Sequence, residues 1–282
     1  MPRSTINGTA IDLDGKEMIL DADQDTTLTV DTDDRVDIKV AGSDKVHVTS
    51  TGLGVATNSP STALHLKDSD GGILQTVETG DSGNAYIKFI NSTTGSGAFS
   101  DGFLVGLDTD ESATFWLYEA DHMKFATSGT EAMRIDATGA VTKPLQPAFL
   151  VHASGSQNDM TAGSTATAVL STEVYDQNND FASNTFTAPV TGKYFLVFTA
   201  LFTDVQTECT EIEIRINTSN RIYRLFILPS KQLSADGSIG DSFSVVADMD
   251  ASDTAIIQVT PSGGSDEMNI HSYTFFSGCL LA

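Results

Sequence analysis

Over most of this chain hydrophobic residues recur at every second position, and no segment of three turns places them at i, i+3, i+4 and i+7. That periodicity restricts the fold to one built from strands, because side chains alternate between the two faces of a strand. Leu28-Thr29-Val30-Asp31 alternates, and so do Arg35-Val36-Asp37-Ile38-Lys39-Val40 and Val46-His47-Val48-Thr49. The clearest run is Glu211-Ile212-Glu213-Ile214-Arg215-Ile216, with isoleucines on one face and charges on the other. Only 19% of the residues are charged, so much of the polarity comes from Ser, Thr, Asn and Gly, the residues of turns between many strands. The fold class is predicted to be all-β.

With 282 residues the chain is long enough for two or three domains, each burying a core. An internal repeat organises the first half. Gly42-Ser43-Asp44-Lys45-Val46-His47-Val48-Thr49-Ser50-Thr51-Gly52 matches Gly129-Thr130-Glu131-Ala132-Met133-Arg134-Ile135-Asp136-Ala137-Thr138-Gly139 in register, with Ile38 and Phe125 at the same spacing upstream. Each copy reads as a turn, an acidic residue, a short strand and a second Gly turn. Short strands of this kind bury their apolar side against neighbours, here other chains. Pro144 and Pro147 interrupt strand pairing, so Lys143 to Pro147 marks a boundary. Three segments are expected: 1–67 for attachment and shaft, 68–144 for a β-rich shaft ending in the second repeat, and 145–282 for a head.

Within the head, Tyr194-Phe195-Leu196-Val197-Phe198 has no polar face. A strand apolar on both sides needs two burials, one inside a sandwich and one at a subunit axis. At about 1.5–3 kcal/mol for each fully buried large side chain, a trimer axis would be strongly favoured. The core or trimer-interface candidates are therefore Tyr194, Phe195, Leu196, Val197 and Phe198, joined by Phe276 and Leu280 from the C-terminal apolar strand.

Two resemblances sit on these motifs. Asn184 to Phe198, together with Tyr273-Thr274-Phe275-Phe276-Ser277-Gly278-Cys279-Leu280-Leu281, resembles the trimeric jelly-roll heads of the complement and tumour-necrosis-factor superfamily. The Ile212–Tyr223 hairpin and the acidic turn Asp250 to Ile257 fall in that order too, while Cys279 stands where an aromatic is usual. Ile19 to Gly42 and the stretch Gly52-Leu53-Gly54-Val55-Ala56-Thr57-Asn58-Ser59-Pro60-Ser61-Thr62-Ala63-Leu64-His65-Leu66 are similar to shaft elements of tailed-bacteriophage virion fibres, as are Ala85 to Asn91 and Glu131 to Asp136. The resemblances imply a non-enzymatic virion structural protein: a homotrimeric tail fibre, assembled in the host cytoplasm and exposed on the particle. Its N-terminus would contact other virion proteins, and its head a host cell-surface glycan or protein. The alternatives are a capsid-attached head fibre or decoration protein and, less favoured, a glycan-depolymerising tailspike.

Composition removes other classes. The formal charge is −23, from 38 acidic against 15 basic residues, and the basic ones are scattered, so nucleic acid is not an expected partner. Such a chain repels its copies at low salt, and screening in salty water relieves this. No apolar run reaches the length that crosses a bilayer, and Met1-Pro2-Arg3-Ser4-Thr5-Ile6 has no signal-like apolar region.

Gly80-Asp81-Ser82-Gly83 lacks the following Gly of a protease nucleophile turn, and Gly240-Asp241-Ser242 reads as a turn as well. The histidines His47, His65, His122, His152 and His271 share no metal-ligand spacing. His47 and His65 fit strand patterns as surface or interstrand residues. Trp116, the only tryptophan, reads as shaft core ahead of a sugar platform. No cofactor is expected. For calcium, Asp21-Ala22-Asp23-Gln24-Asp25 lacks the Gly and Glu of a helix–loop–helix loop, since Thr26 and Thr32 stand there. The resemblance leaves Asp248 to Asp253 and Ser265-Asp266-Glu267 as acidic loops able to hold that ion. Asp176 to Asp180 and Ser262 to Ser265 are the polar loops considered for receptor contact. Cys209 and Cys279 are too few for a metal site; a reducing cytosol favours free thiols, and Cys279 reads as a small buried hydrophobe.

Overall fold

The structure, a computed structural model, describes residues 17–30, 34–68, 75–80, 82–95, 100–264 and 267–282. By Cα proximity it divides into two compact units, Met1–Tyr118 and Glu119–Ala282. The only helix among the described residues is the single turn α1 (Pro229–Gln232).

In the first unit β1 (Met18–Ile19), β2 (Thr27–Thr29), β3 (Val36–Val40), β4 (Ser43–Val48), β5 (Leu53–Val55) and β6 (Leu64–Leu66) form one sheet in chain order. All its pairs are antiparallel except β5 with β6. The β5–β6 crossover folds back onto Gly54, where a Cβ would lie 2.2 Å from the Thr57 carbonyl oxygen. Only glycine admits that approach. A separate antiparallel sheet holds β7 (Ala85–Phe89), β8 (Phe103–Leu107) and β9 (Ala113–Leu117).

The second unit opens with the sheet β10 (Met123–Thr127), β11 (Thr130–Ile135) and β12 (Val141–Thr142). Here the sequence repeat becomes a structural one. The β3–β4 and β10–β11 hairpins both turn on a left-handed pair, Ala41-Gly42 at φ 50° and 71° and Ser128-Gly129 at φ 50° and 75°. Positive φ at both central residues is what a type I′ hairpin turn requires. Both hairpins also carry a bulge at the equivalent place, Ile38/Lys39 and Phe125/Ala126. At the next turn Thr49 Oγ1 accepts from the Thr51 and Gly52 amides, while Asp136 Oδ1 accepts from those of Thr138 and Ala140.

The remaining strands are β13 (Ala148–His152), β14 (Gln157–Thr161), β15 (Ala166–Thr167), β16 (Thr172–Asp176), β17 (Phe181–Ala182), β18 (Thr185–Thr187), β19 (Gly192–Thr203), β20 (Glu211–Thr218), β21 (Ile222–Ile227), β22 (Ile239–Met249), β23 (Thr254–Ser262), β24 (Glu267–Ile270) and β25 (Phe275–Leu280). They build a jelly roll of two sheets. The front sheet runs β14-β24-β19-β25-β13-β16, with β22 on the other edge of β19; the back sheet runs β17-β18-β23-β20-β21, with β15 on β23. β25 thus lies between β13 and β19, strands made much earlier in the chain.

The core sits between these sheets. Tyr194, Leu196, Phe198, Ala200 and Phe202 of β19 point inward with Phe149, Val151 and Phe276, facing Phe186, Ile212, Ile214, Ile216, Ile257 and Val259 of the back sheet. The Phe149 ring anchors the cluster, stacked 4.6 Å from Phe186 and edge-on 5.1 Å from Phe276. Buried Tyr194 donates its hydroxyl to the Val190 carbonyl at 2.7 Å, so no polar atom of its ring is left unmatched.

Candidate self-association surfaces

The apolar run of β19 divides cleanly by face. Tyr194, Leu196 and Phe198 are fully buried, as is Phe276, whereas Phe195 and Val197 point outward and Leu280 is half-buried against the core edge. Cross-strand register continues the outward rows: Ala148, Cys279, Phe195 and Val246 in one, Leu150, Ser277, Val197 and Ser244 in the next, His152, Phe275, Thr199 and Ser242 in the third. None of these positions is Asp, Glu, Lys or Arg, in a chain whose net charge is −23. Charge depletion of this kind marks the buried centre of interfaces. Cys279 belongs to this outer face and is only partly buried, which corrects its reading as a buried hydrophobe. Cys209 is buried, its thiol raised by that burial, and both cysteines are free.

The sheets of the first unit are arranged the other way round. In β7–β9 one face consists of the rows Phe89-Phe103-Leu117, Ile87-Val105-Phe115 and Ala85-Leu107-Ala113. It is wholly apolar yet open: Phe115 is 64% exposed and Phe89 56%. In β1–β6 the row Val36-Val48-Leu53-Leu64 is likewise open from Val48 onward, while the row Thr29-Asp37-His47-Gly54-His65 on the opposite face is largely covered. Arg35 Nε donates to both Asp37 oxygens at 2.8 Å, and His47 Nδ1 lies 2.6 Å from one of them. Burial opposes ionisation of Asp37, but the hydrogen bonds from Arg35 and His47 outweigh it and hold the carboxyl below its usual range. His47 is thus interstrand and buried rather than a surface residue.

The acidic loop of the head is already engaged with protein partners. Arg221 Nε donates to Asp248 at 2.8 Å and its Nη2 to the second carboxylate oxygen at 2.5 Å. That bidentate hydrogen bond is the largest cause holding the Asp248 carboxyl at about 2. Asp253 accepts from Asn220 Nδ2 and from the Asp250 amide. These contacts take oxygens that a calcium ion would need. Ser265 and Asp266 lie outside the described residues, and so does Asp81 of the protease-like turn. Between β1 and β2, carboxylate oxygens of Asp21, Asp23 and Asp25 come within 4.8 Å of one another, at a surface turn where the Thr26 amide donates to Asp21. Trp116, expected in the shaft core, is 56% exposed on the polar face of β7–β9. Pairing register would have revealed that face, since Gly106 and Thr114 share a row beside it.

No helix among the described residues is long and apolar enough to cross a membrane. No protein-family model and no curated protein matches the chain. Solved structures do. The globular domain of zebrafish complement 1qA protein is similar over 49% of this chain and 98% of its own, at 23% identity and a TM-score of 0.37. Murine APRIL crystallised at pH 8.5 is similar over 48% of this chain and 99% of its own, at 12% identity and a TM-score of 0.35.

Proposed function

We propose that this chain is a non-enzymatic virion structural protein, a homotrimeric bacteriophage tail fibre whose jelly roll is the tip that meets the host surface. The observation that carries the reading is the open apolar face of β7–β9, which a single chain leaves in water. An exposed patch of that kind on a soluble chain is a contact surface or an aggregation site, and identical copies around a common axis cover it symmetrically. The three uncharged outward rows of the front sheet would supply a second self-contact in the head. The shaft-like motifs of residues 19–66 and the repeat at 42–52 and 129–139 support the fibre assignment. Three equivalent heads would bind a surface glycan or protein by avidity, with each site weak on its own.

Light scattering on the full chain at micromolar concentration should give the mass of three chains; a one-chain mass would end the trimer reading. Gold-labelled antibody on intact particles should then mark the tail. Label on the capsid would move the chain to a head fibre, and absence from particles would remove it from the virion.

A further inference from the structure

The polar face of β7–β9 contains a recess that neither the head core nor the open apolar face explains. Tyr86, Gly106 and Thr114 form one cross-strand row, and Lys88, Leu104 and Trp116 form the next. Tyr86, Leu104, Thr114 and Trp116, with Asn84, Asp108 and Tyr118, line a cavity of about 190 Å³. Leu104 is its closed floor, 3% exposed, while Trp116 at its side stays open. The Trp116 and Tyr118 rings lean on each other with centroids 6.0 Å apart. Gly106 allows Tyr86 to lie low across the sheet, since a Cβ there would fall 2.7 Å from the Tyr86 ring. Burial and the adjacent Asp108 carboxylate push the Tyr86 hydroxyl above its usual range.

We propose that this recess binds one neutral hexose unit of a glycan. A pyranose ring has an apolar C–H face and a rim of hydroxyls. The exposed Trp116 ring offers an aromatic face to the first, with the Tyr118 ring tilted against it at 51°. Asp108, Asn84 and Thr114 offer a carboxylate, an amide and a hydroxyl to the second. The volume suits a single sugar ring, being below the roughly 300–1,000 Å³ of sites for larger ligands. Asp108 is the only charged residue in the lining, and in a chain of charge −23 it favours a neutral sugar over an acidic one, although Lys88 stands in the row of Leu104 and Trp116. The recess is complete within one chain, so it stands whether or not the protein is a trimeric fibre.

Because Trp116 is the only tryptophan, its emission reports on the recess directly. The full chain would be titrated separately with maltohexaose, cellohexaose, mannohexaose and galactotetraose. At least one should produce a saturable change in emission. Asp108→Asn, which keeps an oxygen for the Thr109 amide, should then weaken that binding about tenfold, the loss of a charged hydrogen-bond acceptor, with mass unchanged and a folded circular-dichroism spectrum. Calorimetry on Trp116→Phe, which keeps a smaller ring, should show binding several-fold weaker. The proposal is overturned by a flat titration with all four sugars, by unaltered binding in Asp108→Asn, or by a response to choline in place of sugar. A changed mass in Trp116→Phe would overturn it too, by assigning the indole to a subunit contact.

Discussion

The jelly roll and the strands that precede it use the same alternation to opposite ends. In the head, the better-buried face of each long strand is apolar: Tyr194, Leu196, Phe198, Ala200 and Phe202 all point into the sandwich. In β1–β6 the better-covered face carries Thr29, Asp37 and His47, and the open face carries Val48, Leu53 and Leu64. Among the described residues before Phe149, Leu104 is the only buried hydrophobic side chain. Alternation therefore shows that a strand has two unlike faces, but not which of them lies inside. That is decided by whether the chain supplies a second layer. The head supplies one; the small sheets of the first unit do not, and their apolar side stays open.

Separating the two regions is the most drastic way to break this contrast. Residues 145–282 alone should keep a single cooperative melt, whereas residues 17–118 alone, held dilute, should show none by circular dichroism. A cooperative melt in the dilute N-terminal piece would mean that it closes a core by itself. Next in size is a pair of matched deletions. Phe198→Ala should cost about 3–5 kcal/mol in urea denaturation of the head. Phe115→Ala should leave the stability of a single chain nearly unchanged while reducing assembly in sedimentation. Equal losses from the two would erase the distinction between a closed core and an open face.

A charge on the outer face of the front sheet sharpens the comparison within the head. Val197→Asp should lower the assembled mass, with head stability altered by no more than about 0.5 kcal/mol, as at other surface positions. A head that instead unfolds would show that this face belongs to its own core. The smallest effect concerns acid. Asp248 has its pKa lowered from 3.8 to about 2, so the unfolded chain takes up that proton first as pH falls. The stabilisation from its pair with Arg221 is complete above about pH 4 and disappears as pH approaches 2. Asp248→Asn should flatten that part of the melting-temperature profile and change little else, because the pair is exposed.

Much of this was readable from sequence. Alternation gives the all-β class, and the match between residues 42–52 and 129–139 extends in the structure to a shared turn and a shared bulge. The Tyr194–Phe198 strand was harder, because a phenylalanine and a valine on its outer face hide the period that the inward Tyr, Leu and Phe obey. Only the continuation through Thr199, Ala200 and Phe202 restores it. The role of Asp248 depends on Arg221, a partner 27 residues away that no local pattern announces. The exposure of Trp116 in a single chain is hidden for a similar reason: its neighbours in sequence, Phe115 and Leu117, belong to the opposite face, and those that matter come from β7 and β8.

The place of β25 in the front sheet has a consequence in time. β13 and β19 each leave the ribosome with one edge reserved for a strand that follows much later, since Gly278 pairs with Phe149 across 129 residues and with Leu196 across 82. Until β25 arrives, two backbone edges stand open beside a half-formed cavity, and pairing across such a sequence distance is slow. During that interval a sibling chain emerging nearby can lend its own β25 to the gap. Folding of the head is then a race between the chain's own late strand and a neighbour's, and the spacing of nascent chains helps to decide whether the product is orderly assembly or an entangled one.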